Sequence, residues 1–228
     1  CKEGHCHCIQ QPQRTEGQGV KGSKSLADFT INFMAIFLSF YLGIGLKGLS
    51  KIAGMLGLRV SLHKNYAGWK NLQDLIGKKL EVIAKKCMAE NVEKERQATL
   101  EAEGDECVKD GRVGLTVSLD EGWQRRGTGR TYISLSGHMF NVGCYSKQIL
   151  GVWLYAKGCK TCQWAERIGK PAKEHRCPMN YEGSSKGMEA KSALRLVVEL
   201  WNNFSTVYVR KVVSDDDSSM RAILCHSV

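Results

Sequence analysis

Proline is scarce in this chain, with only 3 residues in 228. So little proline beside 43% hydrophobic residues excludes disorder as the default, and the length leaves room for one large or two small domains with a real core. Acidic residues are short too: 23 Asp and Glu against 33 Lys and Arg give a formal charge of +10 and a pI near 9.1. That imbalance favours an acidic partner, either nucleic acid or an anionic membrane surface. Long apolar runs are missing as well. The most apolar one, Ile31 to Leu46, falls short of the ~20 residues a bilayer span needs. Asn32, Ser39, Tyr41 and two glycines interrupt it, so it predicts a buried helix rather than a span. No basic-then-apolar secretory start is present, and the chain opens on Cys1 and stops at Val228 soon after an acidic turn. It reads as an internal fragment of a longer protein. Cysteine is not lacking: there are 10, several in zinc-ligand spacings, which predicts a reducing compartment rather than a disulfide framework.

Two stretches end alike. Val113, Leu115, Val117 and Leu119 alternate with small or polar residues, the period-two mark of a strand that gives out at Asp120. Ninety-five residues later Val207, Val209, Val212 and Val213 form a second β-branched run, ending in Ser214-Asp215-Asp216-Asp217. Two strands that finish in aspartate can hold a divalent metal between them. The plainer reading makes Asp120 a turn or cap residue.

Residues 1–26 form a tail in which Cys1, His5, Cys6, His7 and Cys8 crowd together, a weak metal site because no distant second pair closes the tetrahedron. Residues 27–104 read as helical. Two short helices separated by glycines, the second with Leu49, Ile52, Met55 and Leu56 at helical spacing, precede a long third from about Tyr66 to Glu103. The outline is that of a helix-turn-helix. In the long helix Lys70, Lys78, Lys79, Lys85 and Lys86 mark the first half, and Glu90, Glu93, Glu95, Glu101 and Glu103 the second. The basic half is a candidate phosphate-contacting surface, with a solvated helix face as the alternative. Gly104 to Arg112 is polar and predicts the domain boundary.

Beyond Asp120, Arg125 and Arg126 bring two guanidiniums near the candidate carboxylate, suited to a nucleic-acid backbone if they are not simply surface residues. Tyr132 to Leu135, Met139 to Tyr145 and Ile149 to Tyr155 read as strands of a meander, with turns at Ser136-Gly137 and Ser146-Lys147. Cys159-x-x-Cys162 follows, separated by twelve residues from His175-x-Cys177. Two ligand pairs at that distance close a tetrahedron around a structural zinc and leave no position for a catalytic water. A helix from about Lys186 to Asn203, capped by Ser184 or Ser185, then leads into the second aspartate-ended strand.

Taken in order, V-S-L-D-E-G-W-Q-R-R-G, C-K-T-C, H-R-C-P-M-N-Y-E-G-S-S-K-G-M-E-A and V-V-S-D-D-D-S resemble the Mutator-like transposase domain of eukaryotic mobile elements, over roughly residues 30 to 228. The resemblance implies an α+β fold. A helical N-terminal region would precede an incomplete RNase H-like core at 112–228, built of three antiparallel strands, a helix and a fourth strand, with a zinc loop inserted at 158–180. It implies DDE-type chemistry with magnesium or manganese: a metal-activated water nicks a phosphodiester at the element's end, and the freed 3'-hydroxyl attacks target DNA. Asp120 matches the first catalytic acid and Asp215 the second, with Asp217 as a rival. The third acid, usually a glutamate on a later helix, is missing or replaced, and Glu189 is a possible helper by analogy with ribonucleases of the same fold. DNA as partner, a homo-oligomer during transposition, no membrane, and a nuclear location complete the implication. The family usually carries glycine-aspartate-glycine-aspartate where this chain has Ser214-Asp215-Asp216-Asp217. That departure keeps a second reading in play, a non-catalytic zinc-stabilised DNA-binding protein derived from a transposase.

Overall fold

Hydrophobic spacing at three and four residues builds the first half of the chain, and period-two alternation most of the second. The computed structural model describes residues 30–57, 66–123, 134–215 and 218–227. The N-terminal cysteines and histidines, Arg125, Arg126 and Asp217 therefore lie outside the described residues, as do the first two positions of the strand expected at Tyr132. Two compact units divide between Lys85 and Lys86.

In the first unit, α1 (Thr30–Tyr41) and α2 (Leu46–Met55) meet at a bend of 110°. Gly43, at φ 63°, supplies the left-handed residue that lets the chain turn there. Ile36, Leu46 and Leu49 pack with Trp69, Leu72 and Ile76 from the start of α3 (Tyr66–Glu103). The expectation of one buried helix over 31–46 is corrected here. The helix stops at Tyr41, and of its side chains Ile36 and Ser39 are buried while Ile31, Met34, Phe37 and Tyr41 are exposed. α1 is apolar on every side, so covering one face leaves the others bare. Among the described residues no single helix is long and apolar enough to cross a membrane. α3 has the limits its sequence predicts.

In the second unit, a short 3-10 turn (Gly104–Cys107) leads into a five-stranded sheet ordered β1-β2-β3-β4, with β5 also paired to β2. The strands are β1 (Val108–Lys109), β2 (Arg112–Trp123), β3 (Ser136–Gly143), β4 (Ile149–Ala156) and β5 (Val207–Val213). β1, β3 and β4 join by antiparallel pairing, whereas β5 runs parallel to β2, which requires a crossover. α5 (Ser185–Asn203) makes that crossover, and α4 (Lys160–Arg167) and α6 (Ser218–Ser227) complete the unit. The turn expected at Ser136-Gly137 is instead the start of β3, because Gly137 pairs with both Trp123 and Tyr155. Lys147, at φ 59°, turns the chain between β3 and β4 as expected.

Alternation along β2 buries Val113, Leu115, Val117 and Leu119 on one face. Val92 of α3 and Leu200 of α5 close over its first part; Met139, Ala193, Leu196 and Met220 close over Leu119. One buried charge organises the β3–β4 turn. Glu95, fully buried on α3, accepts from the Tyr145 amide at 3.1 Å and the Ser146 amide at 2.6 Å. Its carboxylate lies where a Cβ on Gly143 would stand, 2.2 Å from that position, so position 143 takes no larger residue without displacing it. Glu95→Leu strands two amide donors and should cost about 3 to 5 kcal/mol, read as a lower urea midpoint. A loss under about 1 kcal/mol would show that water takes over the carboxylate's role.

Candidate functional site

The loop between β4 and α5 is held at its ends before any metal is considered. Lys157 donates its amide to the Leu135 carbonyl at 2.9 Å. Asn180 stitches onto the edge of β4: its amide donates to the Ala156 carbonyl, its Nδ2 to the Leu154 carbonyl, and its Oδ1 accepts from the Ala156 amide at 2.7 Å. Past it, the Tyr181 ring packs on Tyr155, and Ser184 caps α5 by accepting from the Gly187 amide at 3.1 Å. Asn180, Tyr181 and Ser184 of the N-Y-E-G-S-S run thus anchor backbone.

Between these ends α4 turns one face inward. Its last residues form a Schellman motif, with the Gly169 amide donating to Glu166 and the Lys170 amide to Ala165, and Gly169 at φ 63°. Cys159 is the N-cap and Cys162 sits in the first turn, so a tight knuckle presents both sulfurs on one side. His175 and Cys177 return to meet them, and all four ligand atoms lie within 4.8 Å of one another. Cys162 Sγ is 3.7 Å from Cys177 Sγ and 3.5 Å from His175 Nε2, and Cys159 Sγ is 3.1 Å from the same nitrogen. A tetrahedral zinc with Zn–S of ~2.3 Å and Zn–N of ~2.0 Å has edges of about 3.8 and 3.5 Å, so the cluster is nearly at its bound dimensions.

The ring orientation fits as well. His175 Nδ1 lies 2.7 Å from the Lys173 carbonyl, which can only accept, so Nδ1 carries the proton and Nε2 faces the thiols. Without metal the same contacts hold protons in the cluster. The Lys173 carbonyl, and after it the Cys159 sulfur, raise His175 to about 9. The Cys162 backbone amide, with help from His175, lowers Cys159 to about 6. Loss of water and the neighbouring thiols push Cys162 up to about 11. The donor set is compatible with a structural zinc ion.

The acidic residues are disposed differently. Asp120 is exposed and lies inside β2, not at its end: pairing with β3 continues through Asp120 and Phe140 to Trp123 and Gly137. On the other side, pairing with β5 stops at Ser118 and Val213. Asp120 therefore borders the open corner left where β5 ends. Carried two residues further, the parallel register sets Asp120 level with Asp215, which is also exposed. Glu189 lies half-buried on α5 between the buried Met188 and Ala190. Among the described residues, Asp120, Asp215 and Glu189 do not gather into a three-ligand cluster, whereas the Cys3His group does. Lys78, Lys79, Lys85 and Lys86 are exposed on α3; Lys85 pairs with Glu81 at 3.0 Å and Lys86 with Glu90 at 3.9 Å, so they are partly neutralised along the helix.

Sequence reasoning missed α4 itself, although Gly169 followed by Pro171 is a helix stop that signalled it. It also missed the His138 ring, which lies across Gly122 on the strand beside Asp120 and meets Phe140 edge to face at 5.2 Å.

Fold and site together define an α+β protein whose mostly antiparallel sheet carries a loop with a Cys3His cluster compatible with a metal ion. The model of the family described as Mutator-like transposase matches residues 1–227, and the chain belongs to that family. No curated protein and no solved structure matches it significantly. Membership implies DNA as the partner.

Proposed function

We propose that the chain is the core of a DDE-type transposase with an RNase H-like sheet, cutting and joining DNA strands with magnesium or manganese held by Asp120 and Asp215. The observation that carries this is the parallel pairing of β2 with β5, which stops at Ser118 and Val213; the same register extended two residues would set Asp120 opposite Asp215. Antiparallel β2, β3 and β4, a crossover helix and a parallel β5 also form the strand pattern of that core. Exposed carboxylates are hard oxygen donors, the kind that Mg²⁺ and Mn²⁺ select. A divalent ion there supplies charge neutralisation to a phosphodiester and acidifies a bound water. The residues do the rest: Asp120 and Asp215 fix the place of the reacting phosphate, and the exposed lysines of α3 and the guanidiniums of Arg125 and Arg126 are cations suited to the DNA backbone. The zinc loop is structural in this scheme. The resemblance further supports work in the nucleus as a homo-oligomer.

The departure at Ser214-Asp215-Asp216-Asp217 favours one other reading, a DNA-binding derivative that no longer cuts. Manganese titration followed by electron paramagnetic resonance tests the site. Free Mn²⁺ signal should fall on adding the chain, and Asp215→Ala should abolish that fall while Asp217→Ala preserves it. The opposite pattern would transfer the second ligand to Asp217, and binding indifferent to both would leave the non-cutting derivative as the function.

A further inference from the structure

We propose that the exposed face of α4 and the segment after it form a docking surface for the phosphate backbone of duplex DNA, held in shape by the Cys3His centre. α4 has two faces. Cys162 and the buried Ala165 point to the metal cluster and the body of the unit, while Lys160, Trp164 and Arg167, at four- and three-residue steps, form an exposed stripe. Trp164 is 56% exposed, an unusual amount for the largest side chain in a folded unit. Past the Schellman turn, Lys170, Lys173 and Arg176 are exposed too, and no ion pair among the described residues engages any of the five cations.

Charge complementarity names the occupant. Between Cys159 and Asn180 the five cations face only Glu166 and Glu174, so the loop stays positive even after the single net negative charge of zinc with three thiolates and an imidazole. Arg167 and Arg176 carry the planar fork that matches phosphate oxygens, and Trp164 supplies a flat apolar surface between two cations that suits a deoxyribose edge. An anionic membrane would attract the same charges, but an eight-residue helix with one face committed to metal has too little apolar area to enter an interface. The loop is also preorganised: four ligands, the Asn180 stitches and the Gly169 stop fix it before DNA arrives, which lowers the ordering cost of binding. This surface shares no residue with the α3 lysines or with the candidate acidic site, and it rests on DNA being the partner.

The test is fluorescence anisotropy of a labelled duplex of arbitrary sequence, titrated with the zinc-loaded chain across a salt series. Lys160→Ala with Arg167→Ala should weaken binding by about tenfold and make the slope of log affinity against log salt shallower by about 1.8, the loss of two phosphate contacts. Trp164→Ala should weaken binding and leave the slope unchanged. Equal zinc content in the variants separates a lost contact from a lost loop, and Lys160→Arg with Arg167→Lys should restore the slope. An unchanged slope in the double alanine variant, while Lys78→Ala with Lys79→Ala still reduces it, would overturn this surface and leave DNA binding on α3. Binding to anionic vesicles that falls in the double variant while duplex binding holds would make the surface a membrane contact. A wild-type chain without affinity for duplex at low salt would overturn both this surface and the DNA reading beneath it.

Discussion

Asp120→Ala should abolish metal-dependent DNA nicking, a fall of at least about a thousandfold and so roughly 4 kcal/mol or more of barrier, with duplex affinity changed less than about twofold. The separation of effects follows from position. Asp120 is exposed at the corner beyond the last β2–β5 pair, it supports no core contact, and its backbone is held by β3 whatever side chain it carries. On the proposed reading its removal takes away a metal donor without disturbing the sheet and leaves every proposed DNA-contacting cation in the chain. Nicking of supercoiled plasmid in Mn²⁺, measured beside anisotropy on the same preparations, gives both numbers. Equal loss of cutting and binding would mean that Asp120 serves the fold or the DNA contact, and full cutting without it would remove it from the active site.

Cys162→Ser should lower the zinc content by one ion per chain and release the loop between Cys159 and Cys177. Hydrogen exchange over α4 should rise to the unprotected rate, while β2 to β5 remain protected. Apparent zinc affinity at structural Cys–His sites amounts to about 10 to 16 kcal/mol, whereas α4, eight residues long, buries only Ala165 beside its ligands. A bound metal, more than packing, would hold this helix. Its hold depends on pH with a definite sign. Zinc requires deprotonated ligands, and the metal-free cluster keeps protons on His175, at about 9, and Cys162, at about 11, when the solution is neutral. Binding at pH 7 therefore displaces at least two protons, and apparent affinity should fall at least about a hundredfold for each pH unit lost below neutrality. Below about 6, where Cys159 also takes up a proton, one more joins them and the fall steepens. Calorimetry in buffers of different ionisation heat counts the protons directly. Release of fewer than two would mean that the neutral cluster is already deprotonated.

Signals written over short distances were legible in advance. The limits of α3 followed from unbroken three- and four-residue spacing without proline, and α5 was placed to within a residue because Ser184 stands before it as a cap. The Cys3His cluster was readable for the same reason, since a Cys-x-x-Cys knuckle is a local geometry and needs only a second pair to arrive. Period-two alternation revealed β2 but not its end. Asp120 looked terminal because the apolar pattern stops at Leu119, yet the strand continues to Trp123 on hydrogen bonds to β3, which no side-chain pattern records.

Other features needed the assembled unit. Glu95 is one of the glutamates that mark the second half of α3; only the approach of Tyr145, Ser146 and Gly143, some fifty residues away, makes it a buried acceptor. The α1 run promised burial by its apolarity, whereas which side is covered depends on where α2 and the start of α3 pack. The relation of Asp120 to Asp215 is likewise a matter of register between strands that meet only because α5 carries the chain across. By itself the sequence determined the helices, the alternating strands and the metal-ligand spacing, because backbone periodicity and chelate geometry act within a few bonds. Only the tertiary structure decided which carboxyl group is buried, how far β2 runs and where its pairing with β5 stops, because those depend on hydrogen bonds and packing between segments far apart in the chain.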